Sequence, residues 1–449
     1  MARSHPIVET LARRLIASVP YSMRLGAPFF YWYSLLLASE EWGVERIQAY
    51  QRELLIAMLT KVGQSSPYYK KMLTGISPKT AADDLGLYLP VMTRVEYRNE
   101  YDRIRSPKFQ GKLTSASTSG TSGNALQFFH TYQDNMREWA AICHQWRRVG
   151  YDPLCSIRAE FRGLVAGSGI VQRFPESRML RCSILHLKTD HVRHYAEACA
   201  KENVQFIHGY PSAIFLLAQE MLASGIRFAG IRGVMLASEM VYPHQVQSIR
   251  AAFPNAKVTA HYGNAERIAL GAWCEHKETY HLLPLYAYVE VDKLDGAVIG
   301  TNLFNTVNPF IRYRMSDIVT GAKNESCASC GRYAMPLCSD IQGRSEDYLF
   351  SPQRGWIPPA IVTYPLKSLQ KVHEIQFYQK ERNSIELRYT SRYAGDCLDE
   401  INTIRQGLRE ILGDMQVIPI RHEVLERGRT GKFKWIVSEL MRTGDGIGH

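Results

Sequence analysis

The sequence predicts an α/β protein: a large N-terminal domain with mostly parallel sheets and a β-rich subdomain, then a small, mobile α+β C-terminal domain. Three observations predict it. Between residues 204 and 262 three strand patterns alternate with two helix patterns, with prolines at Pro211 and Pro243 where helices open. From Tyr286 to Val319 short alternating stretches replace them. Beyond Gly343-Arg344 strands near Glu374–Tyr378 and Ile385–Tyr389 precede a helix from about Cys397 to Leu412 and a strand near Gln416–Arg421.

Residues 1–110 read as a helical N-terminal arm of the large domain. Ile47, Leu54, Leu55, Met58 and Leu59 recur at helical spacing and mark one core-facing stripe. Arg3, Arg13, Arg14 and Arg24 lie beside apolar residues, and Phe29-Phe30-Tyr31-Trp32-Tyr33 follow. Two readings stand for this stretch: an arm packed on the main domain, or a peripheral membrane contact. The most apolar run, Ala27 to Ala38, is broken by Pro28 and Ser34 and is shorter than the roughly 20 residues of a span. No basic start leads directly into an apolar stretch with a small-residue cleavage site, so a secretory leader is not expected.

Residues 111–345 are the expected nucleotide- and acyl-binding core. Strands at Val204–Ile207, Gly233–Leu236 and Lys257–Ala260, joined by helices, imply a parallel sheet with right-handed crossovers. Ligands of such sheets bind beyond the carboxyl ends of the strands, here Gly209-Tyr210, Ser238-Glu239 and Tyr262-Gly263. Residues 346–449 form the predicted C-terminal domain.

Composition narrows the function classes. A chain of 449 residues with 45% hydrophobic content can bury large cores. Its net charge of +11 suits anionic ligands: nucleotides, coenzyme A, nucleic acid or a membrane surface. The basic residues are dispersed and no RNA-binding aromatic motif occurs, which argues against nucleic acid. Nine irregularly spaced cysteines do not form a secreted disulfide framework, so a reducing, cytoplasmic compartment is expected.

Two distant segments carry the first chemical signal. Thr118-Ser119-Gly120-Thr121-Ser122-Gly123 offers backbone N–H groups and hydroxyls to an anion, with no side chain large enough to block a polyphosphate. Gly428-Arg429-Thr430-Gly431-Lys432 presents a lysine on a Gly-rich turn. A phosphate cradle with a distant cation suggests chemistry on a nucleotide. It is not the common Walker loop, because no lysine follows the glycines of the first segment.

In order, these segments, Gly209-Tyr210-Pro211-Ser212, Ser238-Glu239, Tyr262–Arg267, Arg312–Asp317 and Gly343–Asp347 resemble the adenylate-forming superfamily. Within it the chain is similar to the phenylacetate–coenzyme A ligase family, in the branch resembling capsular polysaccharide biosynthesis proteins. The resemblance implies ATP-dependent activation of a small carboxylic acid as acyl-AMP, then transfer to coenzyme A. It implies that Thr118–Gly123 hold phosphates, Glu266 holds Mg²⁺, and Lys432 reaches the α-phosphate. Tyr262 with Gly263 would face adenine, Ser238 and Glu239 would line the nucleotide, and Asp317 and Arg344 would contact ribose. Glu346 and Asp347 would form the hinge, and His208, Gly209 and Tyr210 the acyl pocket. An amine acceptor is an alternative to coenzyme A, and a catalytically idle scaffold or nucleic-acid binder is an alternative of another class.

The chain departs from the family pattern at Met315-Ser316, where Thr-Gly precedes the ribose aspartate, and at Ala265, where a hydroxyl residue precedes the glutamate. Asn124-Ala125 replace a basic residue and proline after the nest. These changes bear on efficiency more than on reaction type. His208 also reads as an ordinary core histidine. Finally, Cys327-Ala328-Ser329-Cys330 supplies half of a tetrahedral site that Cys274 and His281 complete as Cys₃His, a structural Zn²⁺ set. Plain thiols or a redox pair are the other readings.

Overall fold

The structure, a computed structural model, describes residues 16, 18–107, 109–117, 126–161, 169–183, 189–341, 348–357, 362, 366, 371–391, 397–427 and 433–440, and the backbone of 342–344. Its centre is a ten-stranded sheet. Five adjacent strands run parallel in the order Lys257–Gly263, Gly233–Ala237, Phe206–Gly209, Arg158–Phe161 and Met179–Cys182. Antiparallel strands border them: Val171–Phe174 on one side, and Leu270–Trp273, Tyr280–Leu282, Tyr333–Cys338 and Lys323–Ser326 on the other.

The parallel strands read as continuous apolar runs because helices cover both faces. On one face Ile207, Val234, Leu236 and Ala260 pack with the helices Thr189–Lys201, Pro211–Ser224 and Pro243–Ala252. On the other, Phe206 and Met235 meet Trp146, Ala140 and Phe29. Those residues come from the helix Tyr132–Trp146 and from the N-terminal helix Tyr21–Ser39, which kinks at Gly26 (φ +72°). Phe29 is fully buried and Trp32 meets Phe304 edge-on at 4.6 Å, so these two residues of the aromatic run pack on the domain, while Tyr31 is exposed. Among the described residues no helix is long and apolar enough to cross a membrane.

A second, four-stranded antiparallel sheet, Ala287–Val291, Ala297–Asn302, Tyr313–Thr320 and Asp340–Arg344, is the β-rich subdomain. The helix Val44–Ser65 buries Leu55, Met58, Leu59 and Val62 in a core shared with this sheet's Tyr313 and with Ile311, which precedes that strand. The C-terminal unit is a third sheet, ordered Gln416–Arg421, Ser384–Ser391, Val372–Glu381, Ile436–Ser438. Its helix Leu398–Leu412 buries Ile401, Ile404, Leu408 and Leu412, at helical spacing, in that unit's core.

Candidate active site

Three strand ends and one strand of the second sheet converge. The strand Gly233–Ala237 stops at Ser238, whose φ of +70° is left-handed for a non-glycine residue. This turn sends Glu239 toward the helix Pro211–Ser224, whose N-cap residue Tyr210 makes no side-chain cap. Glu239 Oε2 accepts the Ser212 N–H at 3.2 Å, and Oε1 accepts the Phe433 N–H of the C-terminal unit at 2.8 Å. Expected to line the nucleotide, Glu239 also joins two backbones.

Tyr262, near the end of the next strand, donates its phenol to Asp317 Oδ2 at 2.7 Å. Burial and then the Asp317 carboxylate push this phenol well above its ordinary value, so it stays a donor. The residues expected at adenine and ribose thus touch, although 55 positions separate them. Asp317 also faces Arg344 in the register of neighbouring strands.

The turn after Tyr262-Gly263 presents Glu266, 5% exposed. Its backbone is held from below. Asn302 Nδ2 donates to the carbonyls of Glu266 at 3.2 Å and Arg267 at 3.0 Å. His130 Nε2 donates to the Ala265 carbonyl at 3.1 Å, while its Nδ1 accepts from Asn305 at 3.1 Å. Burial and then the Arg267 charge lower His130 to about 4, which keeps it in this neutral form. The Glu266 carboxylate, after burial, pushes the Tyr313 phenol up, which places its charge within reach of that strand. A buried carboxylate on a fixed turn suits a hard cation, so the residues present fit Mg²⁺.

His130, Asn302 and Asn305 escaped the reading of the sequence. Their one signal is Asn302, Asn305 and Asn308 at intervals of three, interleaved with Leu303, Phe304, Thr306 and Val307, and all three are fully buried. Buried amides in that pattern serve backbone groups.

His208 lies on the sheet face under Trp146, with ring centroids 4.7 Å apart, and Glu160 Oε1 is 3.6 Å from its Nδ1. A Cβ on Gly209 would come within 2.7 Å of the Phe161 carbonyl, so glycine is required there by strand packing. Tyr210 is buried in the main core. Arg312 and Arg314 form ion pairs with Glu290, Asp292 and Asp295. Thr118–Gly123, Glu346, Asp347, Lys432 and the Arg344 side chain lie outside the described residues.

The structure brings Cys274, His281, Cys327 and Cys330 together, with candidate ligand atoms all within 4.8 Å of one another. Two hairpin turns at the antiparallel edge do this, and His281 sits opposite Leu337 in the adjoining strand. Gly331, at φ +76°, closes the second turn, its N–H reaching the Cys327 carbonyl at 2.8 Å. Burial, then Arg148 and Arg332, lower His281 to about 3, leaving the neutral imidazole a metal needs. Burial alone raises the Cys327 thiol. The N–H groups of Ser329 and Cys330 and the neighbouring thiols outweigh it and hold it below its ordinary value. Three thiols and one imidazole at this spacing fit tetrahedral zinc, and His276, exposed, is not part of the set.

The overall architecture is similar to a 2-hydroxyisobutyryl-CoA ligase in the postadenylation state in complex with R3-HIB-AMP. The TM-score is 0.66 at 16% identity, over 89% of this chain and 91% of that one. The chain has the adenylate-forming fold. The same ligase in complex with 2-HIB-AMP and CoA in the thioesterification state matches over the same shares, with a TM-score of 0.53 at 17% identity. No protein-family model matches the chain, and no curated protein is found similar to it.

Proposed function

We propose that the chain is an AMP-forming acid–thiol ligase. It activates a small carboxylic acid with ATP and Mg²⁺, releasing pyrophosphate, and passes the acyl group to coenzyme A. The observation that carries this reading is the Tyr262–Asp317 bond beside the buried Glu266, at the carboxyl ends of parallel strands in an adenylate-forming fold. In the first step a carboxylate oxygen bonds the α-phosphorus as the bond to pyrophosphate breaks. Two anions must approach, so neutralising charge is the main requirement. Glu266 would hold Mg²⁺, which would supply part of that neutralisation. Asp317 accepts ribose hydroxyls, with Tyr262 fixing its orientation, and Thr118–Gly123 hold the departing phosphates. Lys432 serves the α-phosphate, Arg344 the ribose, and Glu346-Asp347 the hinge between half-reactions.

In the second step the coenzyme A thiolate attacks the acyl carbon and AMP leaves. The motif order supports a place in the phenylacetate–coenzyme A ligase family, in its surface-polysaccharide branch. Cys274, His281, Cys327 and Cys330 would hold zinc in a structural role, which would fasten the sheet edge. The test is ATP–pyrophosphate exchange across a panel of carboxylic acids, with thioester detection by mass spectrometry. At least one acid should drive Mg²⁺-dependent exchange. No exchange with any acid, together with no ATP binding by calorimetry, overturns the reading.

A further inference from the structure

We propose that Glu239 is a positioning residue, a latch that holds the C-terminal domain in its adenylating arrangement. The proposal rests on the ligase reading for its chemistry, but its geometry stands separately. A carboxylate capping a helix needs one oxygen, and Glu239 uses Oε2 for the Ser212 N–H in the first turn of Pro211–Ser224. Its other oxygen takes the Phe433 N–H at 2.8 Å, from the residue that directly follows Lys432. The left-handed backbone at Ser238 lets one side chain face both partners.

The surrounding contact is largely aromatic, with the Arg427–Glu374 ion pair and His373 of the C-terminal unit on its lining. Trp435 meets Tyr242 at 5.6 Å and His244 at 5.8 Å, and Phe433 packs on Trp435 at 5.5 Å. Tyr242, from the large domain, is buried within the C-terminal core. Between Phe215 and Leu216 on one side and Phe433 and Trp435 on the other, only about 10 Å³ remains open. Apolar packing is non-directional and lets surfaces slide. A charge-assisted hydrogen bond to a backbone N–H fixes register.

The bond is also reversible by design of its partners. When the domain rotates, Glu239 keeps the Ser212 N–H, so release exposes one oxygen instead of stranding a buried carboxylate. The chain matches the 2-hydroxyisobutyryl-CoA ligase better in its postadenylation state than in its thioesterification state, at TM-scores of 0.66 and 0.53. Lys432 directly precedes Phe433 in the chain, so fixing the Phe433 backbone restrains the residue that the ligase reading assigns to the α-phosphate.

Glu239→Gln keeps the shape but sets an amide NH₂ against one of two N–H donors. We expect ATP–pyrophosphate exchange to fall about 10- to 100-fold, the scale of a hydrogen bond to a charged group. Acylation of coenzyme A from supplied acyl adenylate should fall several-fold less than exchange does, because any lining of the nucleotide by Glu239 serves both half-reactions whereas the latch serves only the first. Hydrogen exchange at the Phe433 amide, which needs no substrate, should quicken about tenfold or more. Equal loss of both half-reactions with a raised KM for ATP makes Glu239 a nucleotide contact and overturns the latch. So does an unchanged Phe433 amide. A parent chain inactive with every acid sinks the ligase reading, and the latch then stands or falls on the amide alone. If Glu239→Gln does not fold, Glu239→Asp replaces it under the same criteria, keeping the charge while shortening the reach.

Discussion

The strand ends around Tyr262, Glu239 and Glu266 and the Cys/His edge are both built from polar side chains, yet they are satisfied in different ways. At the strand ends the groups serve one another: Tyr262 bonds Asp317, Asn302 and His130 hold the carbonyls under Glu266, and Glu239 takes two N–H groups. That region is preorganised by the protein alone, as a site that stabilises developing charge must be. At the edge, three thiols and a neutral imidazole crowd within 4.8 Å. Such groups gain little from one another as hydrogen-bond partners, and a soft cation satisfies all four at once. The first region is held by the protein's own hydrogen bonds; the second has a donor set through which a bound cation would add folding energy.

The largest break in this comparison comes from charge at the strand ends. Glu266→Gln should lower exchange by about 10²–10³-fold, the loss typical of a key electrostatic group, while the melting temperature moves little. Lys432→Ala should cost adenylation on the same scale and leave transfer from supplied acyl adenylate largely intact. Equal loss of both steps makes Lys432 a general anion-binding residue.

The edge should respond oppositely. Replacing Cys327 and Cys330 with Ser should take zinc from about one per chain to none and lower the melting temperature by roughly 5 °C or more, since binding energy there is folding energy. Protein prepared without chelator that carries no zinc by metal analysis retires the site.

Asn302→Ala tests whether the nucleotide region is held from below. Asn302 also accepts from the Phe304 and Asn305 N–H groups, so its loss strands several buried backbone groups. Urea unfolding should show a loss of about 1–3 kcal/mol, with weaker Mg²⁺ dependence of turnover. A loss below about 0.5 kcal/mol means water takes over those groups.

The smallest effect concerns Glu40, which ties the arm to the edge through His144, Arg147 and Arg332. Burial alone would raise its carboxyl, but the His144 bond and the two guanidinium charges outweigh it and hold Glu40 down at about 2. A folded-state value below the ordinary 4.5 means the stabilisation is complete above that value and is lost as pH falls toward 2. Glu40→Gln should therefore lower the melting temperature at pH 7, and the gap to the parent should narrow as pH drops below about 4. A gap independent of pH assigns the loss to packing.

Much of this architecture was legible because its signals are local. Pro211 and Pro243 open their helices as read, and the stripe from Ile47 to Leu59 faces the core apart from half-buried Leu54. Strand ends shifted. Lys257–Gly263 runs three residues past Ala260, and Phe206–Gly209 starts two after Val204, because pairing with neighbouring strands, not propensity, sets where a strand stops. The pairing of Cys274 and His281 with Cys327 and Cys330 was readable from residue type, since few residues ligate zinc.

By itself, then, the sequence determined the order of elements, the apolar faces and the residue types of the Cys/His cluster, which are properties of residues a few positions apart. Only tertiary structure decided that Tyr262 leans on Asp317, that His130 and Asn302 carry the Glu266 turn, and that Glu239 reaches Phe433. Those contacts span 36 to 194 positions. A buried amide, imidazole or carboxylate will bond whichever donor or acceptor the fold delivers, and no local pattern names that partner.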